Sequence, residues 1–147
     1  MSLPALLLLN LTFSAMLTGL IWLVQLVQYP GFKLIGKNEC LAYQQHHVSK
    51  IAWIVVPLML GELLFAGWLL LTPLSFSVME YLNYAAFACL LVIWLVTFAK
   101  EVPLHRKLEK EGYKPALLKK LVRLNWFRTI GWSLRTIFLF LLIMLYL

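Results

Sequence analysis

Residues 3–27 read LPALLLLNLTFSAMLTGLIWLVQLV. No charged side chain interrupts this run, and at about 1.5 Å per helical residue it is long enough to cross roughly 30 Å of hydrocarbon. Lipid offers no partners to backbone amides, so such a stretch has to close its hydrogen bonds internally, as a helix. Three further runs of the same character follow: Ile51 to Thr72, carrying the single acid Glu62, then about Glu80 to Ala99, then about Phe127 to Leu147. They are too long and too uniformly apolar for the alternating strands of a membrane barrel. With their polar ends, the spans cover about residues 3–29, 51–72, 80–102 and 125–147. The chain of 147 residues is therefore read as one transmembrane domain, an all-α integral membrane four-helix bundle.

Composition agrees. The sequence is 63% hydrophobic and only 13% charged, with a mean hydropathy of +0.86, a surface that needs lipid around it. The net charge of +7 raises the question of nucleic acid, but all thirteen Lys and Arg fall within residues 33–50 or 100–135. A basic excess confined to two connections is a topology signal, and no nucleic-acid partner is expected. Lys33, Lys37 and Lys50 mark the first connection, eight more basic residues from Lys100 to Arg123 mark the third, and the second has none. The positive-inside rule places loops 1 and 3 in the cytoplasm and both termini on the non-cytoplasmic side, which fits a bacterial inner membrane. The first run lacks a basic leader and is too long for a cleaved signal, so it reads as a retained span. Pro115 with Leu117, Leu118, Leu121 and Leu124 beside Lys119, Lys120 and Arg123 predicts an amphipathic lead-in over about 115–124, resting on the anionic leaflet. Cys40 and Cys89 sit in unlike settings and predict no disulfide. No internal repeat is evident.

Polar groups within or beside a span are costly and tend to face the bundle, pair with one another, or serve function. Here they gather at the span ends next to the basic connections. Span one ends with Trp22, Gln25, Gln28 and Tyr29; span two is preceded by His46 and His47; span three ends with Thr97, Glu101 and His105; span four begins with Asn125, Arg128, Trp132 and Arg135 at helical spacing. A common pocket is the consequence. His47, Glu101, His105, Asn125 and Arg128 are the candidate catalytic residues: imidazole as base, Glu101 to orient or share the proton, Arg128 with Asn125 to stabilise an oxyanion. Trp22, Gln25, Gln28, Tyr29, Glu62, Trp132 and Arg135 are the candidate substrate-binding residues. Each also has a plainer reading: interface anchoring for the aromatics, interhelical hydrogen bonding for the glutamines, and an ion pair to Lys100 or Arg128 for Glu101. Of the adjacent His46 and His47, only one can readily face the bundle. His47, Glu101 and His105 are also the candidate ligands of a transition metal or haem, although no HExxH, CxxC or paired Glu-x-x-His is present. Glu62, near the bilayer midplane, is a candidate for proton or ligand handling, with Arg135 as the partner that could reach it.

Thr97 followed by Val102-Pro103-Leu104-His105 and Leu108, then Leu124-Asn125-Trp126-Phe127-Arg128, resembles the small four-span DUF1772 or anthrone-oxygenase-like membrane proteins. His105 stands where that family usually has Asn, and the likeness covers about the last third of the chain. The resemblance implies His105, Asn125 and Arg128 in the pocket and an oxidoreductase or oxygenase activity on a lipophilic substrate. Two other readings stand beside it: a non-catalytic accessory subunit that binds lipid, a partner or a larger assembly, and a small, homo-oligomeric transporter using Glu62.

Overall fold

The computed structural model describes residues 1–32, 34–112 and 114–147, for Lys37 and Asn38 the backbone alone. Lys33, one of the basic residues of the first connection, lies outside the described residues, as does the side chain of Lys37. Among the described residues the chain forms four long helices and no strand. We label them α1 (Leu3–Gly31), α2 (Lys37–Leu70), α3 (Ser77–Glu111) and α4 (Pro115–Tyr146). Each is long and apolar enough to cross a membrane. Helices α1, α2 and α4 begin where their sequences allow: Pro4 and Pro115 occupy first-turn positions in α1 and α4, where a missing N–H costs nothing, and Gly36 precedes α2.

Three boundaries differ from the hydropathy reading. Helix α2 starts at Lys37 rather than near Ile51, because Cys40, Gln44 and His47 form an inward stripe that packs and carries the helix beyond its apolar run. Helix α3 does not stop near Pro103 but continues to Glu111, where Gly112, at φ 72°, ends it. The amphipathic segment 115–124 is the start of α4 itself. Its Leu118 and Leu121 are buried in a cluster with Leu104 and Leu108 of α3, so its apolar side faces the bundle.

Helix α4 packs against both α1 and α3, and α1 also packs against α2. Two apolar clusters divide the interior. One, including Leu17, Ile21, Phe32, Met59 and Trp132, lies toward the basic connections; the other, including Leu6, Leu69, Met79, Leu139 and Leu142, lies toward the termini. Between them is a polar knot. Arg135 Nε donates to Glu62 Oε1 at 2.8 Å, its Nη1 to the Ala86 carbonyl at 2.8 Å and its Nη2 to Asn10 Oδ1 at 3.3 Å. Trp132 Nε1 donates to the other Glu62 oxygen at 3.1 Å. Glu62 and Arg135 are almost fully buried, at 0% and 1% exposure, and the knot ties α1, α2, α3 and α4 together.

The second hairpin follows the first in register, a relation that residue-by-residue inspection of the sequence misses. Glu62 and Arg135 are 73 positions apart. The same spacing relates Asn10 to Asn83, Pro30 to Pro103 and Trp53 to Trp126. Buried positions keep it too: Leu6 and Met79, Leu17 and Leu90, Met59 and Trp132, Leu69 and Leu142. Both hairpins run in the same sense, as units related by an axis along the membrane normal do.

Candidate functional site

Near the ends of α1 and α3 the backbone widens in the same way. Over Val24–Gln28 and Thr97–Glu101 the helices take a π-turn, closed by the Tyr29 N–H donating to the Val24 carbonyl and the Val102 N–H to the Thr97 carbonyl. The cause is local. Pro30 and Pro103 each lack an N–H, and each ring would strike the carbonyl four residues earlier, so the turn before them opens. The extra residue rotates Gln25, Tyr29, Thr97 and Glu101 inward, and all four are buried.

These turns border a cavity of about 160 Å³. Its polar lining is Tyr29 from α1, His47 from α2, Thr97, Glu101 and His105 from α3, and Arg128 from α4. The remaining walls are apolar, chiefly Val55, Val56 and Met59 of α2 and Phe98 and Val102 of α3. Tyr29 Oη and His105 Nε2 share a hydrogen bond at 3.1 Å, and Gln44 Nε2 donates to the His105 carbonyl at 3.3 Å. Phe32 and Tyr29 meet the His47 ring edge-on, with centroids at 5.6 and 6.2 Å.

Arg128 is held from behind. Its Nη1 donates to Asn125 Oδ1 at 3.1 Å, Asn125 Nδ2 donates to Gln25 Oε1 at 2.8 Å, and Gln25 Nε2 donates to the Val122 carbonyl at 3.3 Å. The guanidinium also lies over the Trp132 ring, 5.2 Å from its centroid. This chain fixes where the charge sits while leaving Arg128 Nε unpartnered.

Among the described residues, five buried side-chain polar atoms lack a partner: both carboxylate oxygens of Glu101, His105 Nδ1, Arg128 Nε and Trp94 Nε1. All but the last belong to residues that line the cavity. No ion pair joins Glu101 to Lys100 or Arg128 among the described residues. A buried polar atom without a partner costs about 1–3 kcal/mol, so their concentration around one cavity marks it as a place for a polar group.

The remaining sequence-nominated residues divide clearly. Glu62, Trp132 and Arg135 meet in the knot, deeper in the bundle and outside the cavity lining. Gln25 and Asn125 stand behind Arg128. Gln28 accepts from Tyr43 Oη at 3.0 Å and borders a neighbouring groove of about 360 Å³ with Tyr43, His46 and Lys50. Trp22 lies on the outside, donating to Ser133 Oγ at 3.1 Å and meeting Trp126 edge-on at 5.6 Å. Of the two histidines, His47 is buried and His46 exposed, and His47 lines both cavity and groove. His47, Glu101 and His105 share the cavity, yet among the described residues no three His, Cys, Asp or Glu side chains converge closely enough to hold a metal ion. The π-turns and the apolar walls escaped the sequence reading; the one available signal was a proline six residues after the start of each widened turn. Compared with known proteins, the chain matches no family model, no curated protein and no solved structure.

Proposed function

We propose that this chain is an intramembrane enzyme that takes a lipophilic substrate by its polar head in the cavity between Tyr29, Glu101, His105 and Arg128. The observation that carries the reading is the set of unpartnered buried polar atoms inside an otherwise apolar cavity, since water alone gains little from such walls and an amphiphile gains from both parts. His105, buttressed by Tyr29, or His47 acts as the base, Glu101 orients or shares the proton, and Arg128, positioned by Asn125 and Gln25, stabilises the oxyanion that forms. The oxidoreductase or oxygenase type comes from the resemblance to the anthrone-oxygenase-like proteins; the cavity itself supports binding with proton transfer. His47 and His105 remain the residues through which a haem or a metal would act, with ligands beyond this set.

The test uses the purified protein in mild detergent, extracted with organic solvent and assayed by mass spectrometry, with a visible spectrum of the same sample. A stoichiometric lipophile is expected in the wild type, reduced about tenfold or more in Glu101→Gln and in Arg128→Gln, whose lost contacts are each charge-assisted. Equal retention in both variants would sink the reading. A colourless, lipophile-free sample that co-purifies with a larger assembly would favour the accessory subunit instead.

The basic connections support loops 1 and 3 on the cytoplasmic side, with both termini across a bacterial inner membrane. Reporter fusions after Thr72 and after Leu147 are expected to read as non-cytoplasmic; a cytoplasmic signal at either point would reverse the orientation.

A further inference from the structure

The relation between the two hairpins fails at one interface. A rotation that exchanges α1 with α3 and α2 with α4 turns the α1–α4 contact into the α3–α2 contact. The α1–α4 contact is closed by side-chain hydrogen bonds along its whole length. Thr136 Oγ1 bonds Ser14 at 2.9 Å and Thr18 at 2.8 Å, Thr18 also donates to the Trp132 carbonyl at 3.1 Å, Trp22 reaches Ser133 at 3.1 Å, and Asn125 reaches Gln25 at 2.8 Å. Between helices in lipid, where apolar surfaces gain nothing by meeting each other, bonds of this kind are what hold an interface shut.

Every one of those polar groups is replaced at its related position. For Ser14, Thr18, Trp22 and Gln25 of α1, helix α3 has Phe87, Leu91, Leu95 and Phe98. For Asn125, Ser133 and Thr136 of α4, helix α2 has Ala52, Leu60 and Leu63. Leu60, Leu91, Leu95 and Phe98 are more than half exposed in the isolated chain, so this seam faces lipid. Among the described residues, the direct hydrogen bonds between α2 and α3 lie at its ends: Asn83 Nδ2 donates to the Leu69 carbonyl at 3.3 Å, and Gln44 Nε2 to the His105 carbonyl at 3.3 Å. Between these bonds lies Pro57, which has no N–H to give the preceding turn and so loosens α2 at mid-seam. The cavity opens on this seam, with Ala52, Val55, Val56 and Met59 on one side and Phe98 and Val102 on the other.

The floor of the cavity selects the head. Glu101 and Arg128 both line the cavity, so an anionic head drawn to Arg128 also meets Glu101, and a cationic head drawn to Glu101 also meets Arg128. A hydroxyl suits both, donating its hydrogen to a Glu101 oxygen and accepting from Arg128 Nε with the same atom. The apolar lining that runs along α2 from Val48 to Met59 suits an extended chain.

We propose that the α2–α3 seam is a lateral portal through which a single-chain, hydroxyl-headed lipid enters from the bilayer, its head on Glu101 and Arg128 and its chain lying between Val56 and Phe98. The proposal rests on the cavity being a binding site, as argued above, and adds the route and the class of ligand.

The test uses the full chain in vesicles of neutral phospholipid. The probe is a long-chain fatty alcohol carrying a photoreactive diazirine and an alkyne, with the matching fatty acid and fatty amine as controls, and the labelled residues are mapped by mass spectrometry. The alcohol is expected to label Val55, Val56, Met59 and Phe98 saturably, and the acid and amine about tenfold less. The double variant Leu63→Thr with Leu91→Thr, which copies the Thr136–Thr18 bond into the seam, is expected to slow labelling of the cavity about tenfold and leave its final extent unchanged. Should that pair fail to fold, Leu60→Ser with Leu95→Trp copies the Ser133–Trp22 bond instead. Saturable cavity labelling at an unchanged rate in a folded seam variant overturns the portal and leaves the binding site standing. Equal labelling by acid, amine and alcohol overturns the hydroxyl-headed class. Labelling spread evenly over all lipid-facing residues, with no saturable part, overturns both the portal and the function proposed above.

Discussion

Glu62 illustrates how one residue's neighbours decide its role. An acid near the middle of a span reads equally as a proton carrier or as a structural partner, and the side chains that meet it decide. Both of its oxygens are occupied, one by Arg135 and one by Trp132, while the rest of the guanidinium is spent on Ala86 and Asn10. Glu101 is the opposite case, as deeply buried but with neither oxygen bonded. The contrast predicts different responses to mutation. Glu62→Ala leaves the Arg135 charge buried without its counter-ion and is expected to cost about 3–5 kcal/mol, read as a large fall in the detergent unfolding midpoint. The double variant Glu62→Gln with Arg135→Met removes both charges and should recover most of that loss. If the single and double variants melt alike, the pair does not hold the bundle together.

At the scale of the element, the two π-turns do what a straight helix could not. In a regular α-helix Thr97, Glu101 and His105 follow one another at intervals of four on a single face, and Pro103 would break the ladder above them. The widened turn absorbs the missing N–H and lets α3 continue to Glu111, turning Glu101 inward behind it. Deleting Ala99 takes out the residue that the widened turn adds ahead of Pro103. Such a variant is expected to remain helical and monodisperse by circular dichroism and size exclusion, yet to retain less than about a tenth of the extracted lipophile, because the residues before the deletion swing by about 100° relative to those after it. Full retention would mean that the widened turn has no part in shaping the cavity. Glycine matters at one close approach on α4: a side chain at Gly131 would bring its first carbon to 2.8 Å from Ile93 Cγ1, so α3 and α4 are set close together just beneath the site.

At the scale of the molecule, a repeated two-helix unit supplies the frame and an unequal distribution of polar groups supplies the opening. The knot of Asn10, Glu62 and Arg135 sits where the related positions of the two hairpins meet, and it carries opposite charges at the two equivalent sites, Glu62 in one hairpin and Arg135 in the other. Away from the knot, polar side chains join one of the two related interfaces and apolar ones line the other. Cohesion in lipid follows hydrogen bonds and close packing rather than hydrophobicity, so this difference alone gives the bundle a tight side and a loose side.

The sequence by itself determined that the chain is a four-span helical membrane protein, because a long uncharged run has one stable arrangement in lipid and its length shows directly in the residues. It also marked which span ends gather polar side chains, since Tyr29, His47, Glu101, His105 and Arg128 stand out against an apolar background. What only the tertiary structure decided was which of those groups are satisfied by one another and which are not. Glu62 and Arg135 closed on each other while Glu101 and Arg128 stayed apart, although each pair is an acid and a guanidinium from different spans. The reason is geometric: whether two side chains meet depends on helix rotation and depth to within an ångström or two, and a proline-widened turn changes both without leaving a mark in hydropathy. The 73-residue register was hidden for the same reason. It is carried by burial and backbone shape, which tolerate exchange of one apolar residue for another, and few identities, such as Asn10 with Asn83 and Pro30 with Pro103, accompany it.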